Sequence, residues 1–328
     1  MIRKKSIKII IIAIVIQTLC FSVNTIAFNF ENNTSEKQLI NSSTKIQNIN
    51  QINVTFNSSG YELYAEIYYP LNTSNIYPVV VFCEGLNGYI DAYNWIPKAL
   101  AEENYVTMVF DPPGQGISEG LFPIKSYSIP FLNLYVRSFA TFEAVIHYFS
   151  REWVAATSDA ITYLLEQSEV KGLIDSSKVG LIGHSLGGIT VTETAANDDR
   201  VDAVVALSQG NPLFINKIKV PIQFQGGGFD LGTYSVPILS RCYKKVDPPK
   251  ELIIIKFGTH FGFSTALNQF NPCPPWQKEV CFRYAQGWFD YFLKDDLEAY
   301  EIITTGHEHL SKIIQSKYNL GDGDQILE

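Results

Sequence analysis

Lys178–Gly188 reads KVGLIGHSLGG, and no other stretch narrows the possible folds as far. Val179–Ile182 is a short apolar run, and Gly183-His184-Ser185-Leu186-Gly187 matches G-x-S-x-G, with a further glycine at 188. The pattern predicts a buried strand that stops at a glycine-flanked serine and turns at once into a helix. A serine at the tip of so sharp a turn sits on strained backbone, and a Cβ on either side would strike the neighbouring strand or helix. The turn lifts the hydroxyl clear of the sheet. It also puts the Leu186 N–H at a helix N-terminus, where negative charge is stabilised. Ser185 is therefore the candidate nucleophile.

A serine hydroxyl needs a base to take its proton and a third group to orient that base. The chain has five histidines. His184 adjoins the serine, but its side chain is expected to point away from the hydroxyl. His147 lies in an aromatic segment, and His307 and His309 lie near the end of the chain. His260 follows the apolar run Glu251–Phe257 through Gly258-Thr259, in a loop at a strand's carboxyl end, and is the candidate base. Asp230 ends the run Val220–Phe224 plus Gln225-Gly226-Gly227-Gly228-Phe229 and is the candidate orienting acid. Asp198, Asp199 and Asp202 precede their strand, at the wrong edge of a sheet, and Asp247 stands among prolines before another. Charge developing on an attacked carbonyl needs two N–H donors. Leu186 supplies one, and the loop after Pro78–Cys83 is expected to supply the other through Leu86.

The rest of the chain fits a regular alternation. Gln51–Tyr69 reads as a hairpin around Asn57-Ser58-Ser59-Gly60. Pro78–Cys83 reads as a buried strand, followed by a helix that Asp91 is placed to cap, with Trp95, Ile96, Ala99 and Leu100 on one face. Tyr105–Phe110 is the next strand, ended by Asp111-Pro112-Pro113-Gly114-Gln115-Gly116. Residues 120–150 break the rhythm with Phe122, Tyr127, Phe131, Tyr135, Phe139, Phe142, Tyr148 and Phe149. This segment is either a small apolar lid or a packing device for a cap helix. An amphipathic helix resumes at Trp153, with Ala156, Ala160, Ile161, Leu164 and Leu165 at helical spacing. Val201–Leu207, Val220–Phe224 and Glu251–Phe257 are further strands, and Trp276–Leu293 is a final helix. Strands alternating with helices imply a mostly parallel, doubly wound α/β sheet with ligands at the strands' carboxyl ends. Residues 295–328 read as a polar extension with one weak helix around Leu310–Ile314. The His307-Glu308-His309 run within it reads as solvated surface, with no cofactor or metal implied.

Order, spacing and motif together resemble the α/β-hydrolase superfamily over about Gln51 to Lys294. The turn Asp111–Ser118 is similar to that superfamily's D-x-P-G-x-G-x-S loop. The early hairpin, the short cap and the Trp288-Phe289-Asp290-Tyr291-Phe292-Leu293 helix resemble the branch that holds dienelactone hydrolases, polyester hydrolases and platelet-activating-factor acetylhydrolases. The resemblance implies Ser185, Asp230 and His260 as a triad, with Leu86 and Leu186 as oxyanion donors. One departure stands out. The oxyanion loop usually begins His-Gly, and here it is Glu84-Gly85, which sets a carboxylate close to where negative charge develops. Serine rather than cysteine at 185 argues against dienelactone hydrolysis itself. The expected activity is hydrolysis of carboxylic esters, small or lipid-like. The alternatives are amide or peptide hydrolysis by the same triad, or a catalytically silent binding module.

Apolar content of 46% with 18% charged residues lets 328 residues bury a sizeable core. A net charge of −8 without a basic face argues against nucleic acid as a partner. Arg3, Lys4, Lys5 and Lys8 precede the aliphatic Ile9–Ile16, and Thr25-Ile26-Ala27 offers small residues for cleavage, so residues 1–27 read as a secretory signal. The rival is an uncleaved anchor that would associate with the membrane. Residues 28–50 read as a polar linker. Asn-x-Ser/Thr sites at Asn32, Asn33, Asn41, Asn53, Asn57 and Asn72 agree with export. Cys273 and Cys281 could pair, with Cys242 as a rival partner, whereas Cys83 reads as a buried thiol.

Overall fold

The computed structural model describes residues 48–120, 139–230, 233–247, 249–265, 274–315 and 325–327. The signal and most of the linker, residues 121–138 of the aromatic segment, and Cys273 lie outside the described residues.

The chain opens with the expected hairpin, β1 (Ile49–Ser58) paired antiparallel with β2 (Tyr61–Pro70). Its loop is Ser59-Gly60, both with positive φ, the geometry that matches the twist of the flanking strands. Then follow β3 (Tyr77–Cys83), a single turn at Ile90–Tyr93, α1 (Trp95–Glu102), β4 (Val106–Phe110), α2 (Phe139–Thr162) and β5 (Ile174–His184). After the elbow come α3 (Leu186–Ala195), β6 (Ala203–Leu207), β7 (Ile222–Gly227), α4 (Ser235–Lys245) and β8 (Lys250–Ile255). The chain closes with α5 (Gln277–Leu293), α6 (Ala299–Thr304), β9 (Leu310–Gln315) and β10 (Gln325–Leu327).

Among the described residues these strands form one sheet in the order β1-β2-β4-β3-β5-β6-β7-β8-β9-β10. The six from β4 to β8 run parallel, and antiparallel pairs finish both edges. Continuous apolar runs suit the centre because helices cover both faces. Val79, Val81 and Cys83 of β3 point into one core with Trp153 of α2, Val191 of α3 and Leu239 of α4. The alternate residues Val80 and Phe82 point into the other, with Ile96 and Leu100 of α1 and Tyr284, Trp288 and Phe289 of α5. The parallel strands all release their chains at one edge, and the loops there carry the candidate residues.

Several expectations are corrected. The stretch around Leu310–Ile314 is not a helix but strand β9, bonded antiparallel along β8 with Ile313 buried. Six residues of mixed pattern carry no decisive period, and the open edge of β8 selects the extended form. Residues beyond Lys294 thus join the sheet. Asp91 caps no helix. The Ile90–Tyr93 turn already contains it, and the Ile90 N–H donates instead to Oδ1 of Asp111, 3.1 Å away. The helix expected from Trp153 begins at Phe139, inside the aromatic segment. Finally, Cys83 and Cys281 are free buried thiols, so Cys281 is not half of a disulfide.

Candidate active site

Ser185 sits between the end of β5 and the first residue of α3, with φ 57° and ψ −116°. Few residues hold a positive φ, and the neighbouring packing imposes it here. A Cβ on Gly187 would lie 2.1 Å from the Cys83 carbonyl oxygen and 2.4 Å from that of Glu84. One on Gly183 would lie 2.4 Å from the Gly187 carbonyl oxygen. The two glycines thus let α3 press against the end of β3, which seats the Glu84–Gly88 loop beside the serine. The Ser185 N–H donates to the Leu207 carbonyl at 2.9 Å, tying the turn to β6.

His260 opens a short 3₁₀ turn, His260–Phe263, after β8, and Asp230 follows β7. The fold brings these residues from separate strand ends to one point. His260 Nε2 lies 2.9 Å from Ser185 Oγ, and His260 Nδ1 lies 2.8 Å from Asp230 Oδ2. The second carboxylate oxygen accepts the Thr233 hydroxyl at 2.5 Å. Burial raises the Asp230 carboxyl, but the charge of His260 and hydrogen bonds from His260 and Thr233 outweigh it and hold the group below the usual carboxylate range. Ionised Asp230 accepts from Nδ1–H, which leaves the Nε2 lone pair facing the serine hydroxyl.

The two N–H groups expected to receive an oxyanion lie at the start of α3 and in the loop after β3. Leu186 is the first residue of α3, so its N–H has no intrahelical acceptor. The Leu86 N–H donates to no protein acceptor among the described residues. The Asp111–Ser118 turn braces this loop from below. Gln115 Oε1 accepts the Asn87 N–H at 2.6 Å, and Asp111 holds Ile90 and, through Oδ2, Ile117 at 3.0 Å. Glu84 is fully buried, and neither carboxyl oxygen has a partner among the described residues. Burial, reinforced by the charge of Asp111, pushes it well above the usual carboxylate range. Burial without a donor thus favours the neutral acid over the carboxylate at Glu84, which weakens the opposition expected from its charge.

Sequence reasoning passes over three contributors. His184 does point away from the serine hydroxyl, but both of its nitrogens are engaged. Thr233 stands three residues after Asp230, a spacing at which a hydroxyl can cap a carboxylate. Gln277, buried at the start of α5, grips Thr259 through Oε1 from N–H (2.9 Å) and Nε2 to C=O (2.8 Å). Nothing local in the sequence marks that pairing. His309, read as solvated surface, stacks on Trp276 with ring centroids 4.3 Å apart.

A sequence profile described as the alpha/beta hydrolase fold matches residues 78–226, which span β3, the elbow and β7. With the mixed, mostly parallel sheet and the assembled Ser-His-Asp geometry, the chain has the α/β-hydrolase fold, and its site supports a serine-hydrolase function. In sequence it is similar to platelet-activating factor acetylhydrolases and to a bis(hydroxyethyl) terephthalate hydrolase. It is 24% identical to platelet-activating factor acetylhydrolase of Cavia porcellus, over 59% of this chain and 50% of that one. It is 23% identical to bis(hydroxyethyl) terephthalate hydrolase of Streptomyces coelicolor, over 70% of this chain and 62% of that one. The chain thus spans about half to three-fifths of the length of the curated relatives it matches.

Proposed function

We propose that this chain hydrolyses carboxylic esters through an acyl-enzyme. The observation that carries the reading is the unbroken line Ser185 Oγ–His260 Nε2 (2.9 Å) and His260 Nδ1–Asp230 Oδ2 (2.8 Å). His260 takes the Ser185 proton as Oγ bonds to the ester carbonyl carbon, and the carbonyl oxygen takes the negative charge toward the N–H groups of Leu186 and Leu86. The tetrahedral adduct collapses, the C–O bond to the alcohol breaks, and His260 gives its proton to the leaving oxygen. Water then repeats the attack on the acyl-serine, losing its proton to His260. The acid leaves, and Ser185 regains its hydrogen.

The choice of ester over amide draws on the named relatives, whose names concern an acetyl group and a terephthalate ester. The test is turnover of a short-chain aryl ester and labelling by a fluorophosphonate, wild type beside Ser185→Ala. Turnover should fall to the uncatalysed background in the variant, with label confined to Ser185 in the wild type. Retained turnover, or folded protein that stays unlabelled, overturns the reading.

Export completes the proposal, from Arg3–Ile16 and the small residues at 25–27. Recovery of the protein from the medium with Phe28 first would support it; an intact Met1 in the cell pellet would not. Among the described residues no helix is long and apolar enough to cross a membrane.

A further inference from the structure

His184 is the second residue of the G-x-S-x-G motif, and its fully buried ring lies against that of His260, with centroids 4.7 Å apart. Its Nε2 lies 2.9 Å from the backbone carbonyl oxygen of His260. A carbonyl only accepts, so this nitrogen carries the hydrogen. The Nδ1 of the neutral ring is then an acceptor, and the Tyr93 hydroxyl, 2.9 Å away, donates to it. Burial, helped by the charge of His260, keeps His184 well below the usual histidine range, in keeping with this neutral tautomer.

The same pair supports the oxyanion loop. A Cβ on Gly85 would lie 2.9 Å from the Tyr93 hydroxyl and 3.1 Å from His184 Nδ1, so the loop backbone rests directly on their hydrogen bond. Tyr93 is itself seated in the second core, its ring 5.4 Å from that of Phe82. Gln277 holds Thr259, the residue before the base, by both backbone groups. The base is thereby anchored on each side of its Cα, and one anchor is shared with the loop that receives the oxyanion.

From this geometry we infer that His184 is a positioning residue for the hydrolysis. Its Nε2–H holds the His260 backbone at the distance proton transfer from Ser185 requires, and its Nδ1, through Tyr93, keeps the Gly85–Leu86 backbone in register with the same nucleophile. The inference rests on the triad reading. It adds that the residue beside the nucleophile couples the base loop to the oxyanion loop without touching substrate.

The test compares wild type with His184→Phe, which keeps a ring but no nitrogen, and His184→Gln, whose amide again offers a donor beside an acceptor. The readouts are kcat and KM for an aryl ester, the rate of fluorophosphonate inactivation, and Tm. His184→Phe should lower kcat and the inactivation rate together by roughly 10- to 100-fold, the effect of a misplaced catalytic group, with KM within about twofold. His184→Gln should recover most of that loss. A His184→Phe enzyme with wild-type kcat overturns the inference, as does a loss that His184→Gln does not recover. If His184→Phe does not fold, Tyr93→Phe takes its place. It should lower kcat with KM unchanged, and wild-type kcat there overturns the coupling. Failure of the triad reading looks different: Ser185→Ala would then keep its turnover.

Discussion

Asp230 and Glu84 are both carboxyl groups withdrawn from water at the carboxyl edge of the same sheet, one after β7 and one after β3. Their ionisation is pushed in opposite directions. Asp230 meets the His260 ring on one oxygen and the Thr233 hydroxyl on the other, and these partners overcome the penalty of burial. Glu84 meets no donor among the described residues, and its charged neighbour is Asp111, of the same sign. Burial thus decides nothing alone. A desolvated carboxyl ionises where donors and positive charge face it, and keeps its proton where they do not. For the chemistry this division is apt: the carboxyl pushed toward the charged form stands behind His260, where an imidazolium forms.

Neutralising each carboxyl in turn separates their roles. Asp230→Asn should lower kcat by roughly 10³- to 10⁴-fold, because the imidazole loses both its orienting acceptor and its counter-charge. Glu84→Gln, which preserves shape and the neutral state, should leave kcat within about threefold on the same assay. Equal losses in the two variants would mean that Glu84 works as an anion.

The second difference is read in stability against pH. The folded state raises the Glu84 carboxyl, so between the ordinary glutamate range, about 4.3, and its higher folded value the native protein binds more protons than the unfolded chain. Stability attributable to this group is greatest below that window and falls as pH rises through it, by up to about 1.4 kcal/mol per pH unit. Urea midpoints of Glu84→Gln should therefore gain on those of wild type as pH rises from about 4 to about 8. For Asp230, whose folded carboxyl is lowered, the sign reverses. Its contribution is complete above the ordinary aspartate range and is lost as pH falls through the folded value. The gap between wild type and Asp230→Asn should accordingly close in acid. Parallel curves for Glu84→Gln and wild type would refute the neutral-acid assignment.

The smallest effect belongs to Thr233→Val. It removes one charge-assisted hydrogen bond from Asp230 and leaves the His260 contact in place. Steady-state kinetics should show kcat reduced by roughly tenfold or less, with KM unchanged.

Much of this site is legible in the amino-acid sequence. The elbow can be read there because its glycines, apolar run and serine are contiguous, and steric exclusion acts between near neighbours. Asp230 and His260 can be read because parallel strands deliver their ends to one edge, so residues just past an apolar run converge whatever their separation in sequence. Other features carry no local mark. Gln277 reaches back 18 residues to Thr259, and His184 meets Tyr93 across 91; in each case a side chain finds a backbone or hydroxyl that packing alone brings near. Strand β9 escapes a local reading for the same reason, since the edge of β8 supplies what its six residues lack.

Periodicity, glycine sterics and chain order are local or topological properties, and so the α/β alternation, the nucleophile and the strand ends that carry its partners follow from the order of residues alone. The direction in which each buried carboxyl is shifted, the tautomer of His184 and the anchors of His260 come instead from packing. Those depend on the donors and acceptors within about 3 Å of a buried atom, and that shell is assembled from segments distant in the chain.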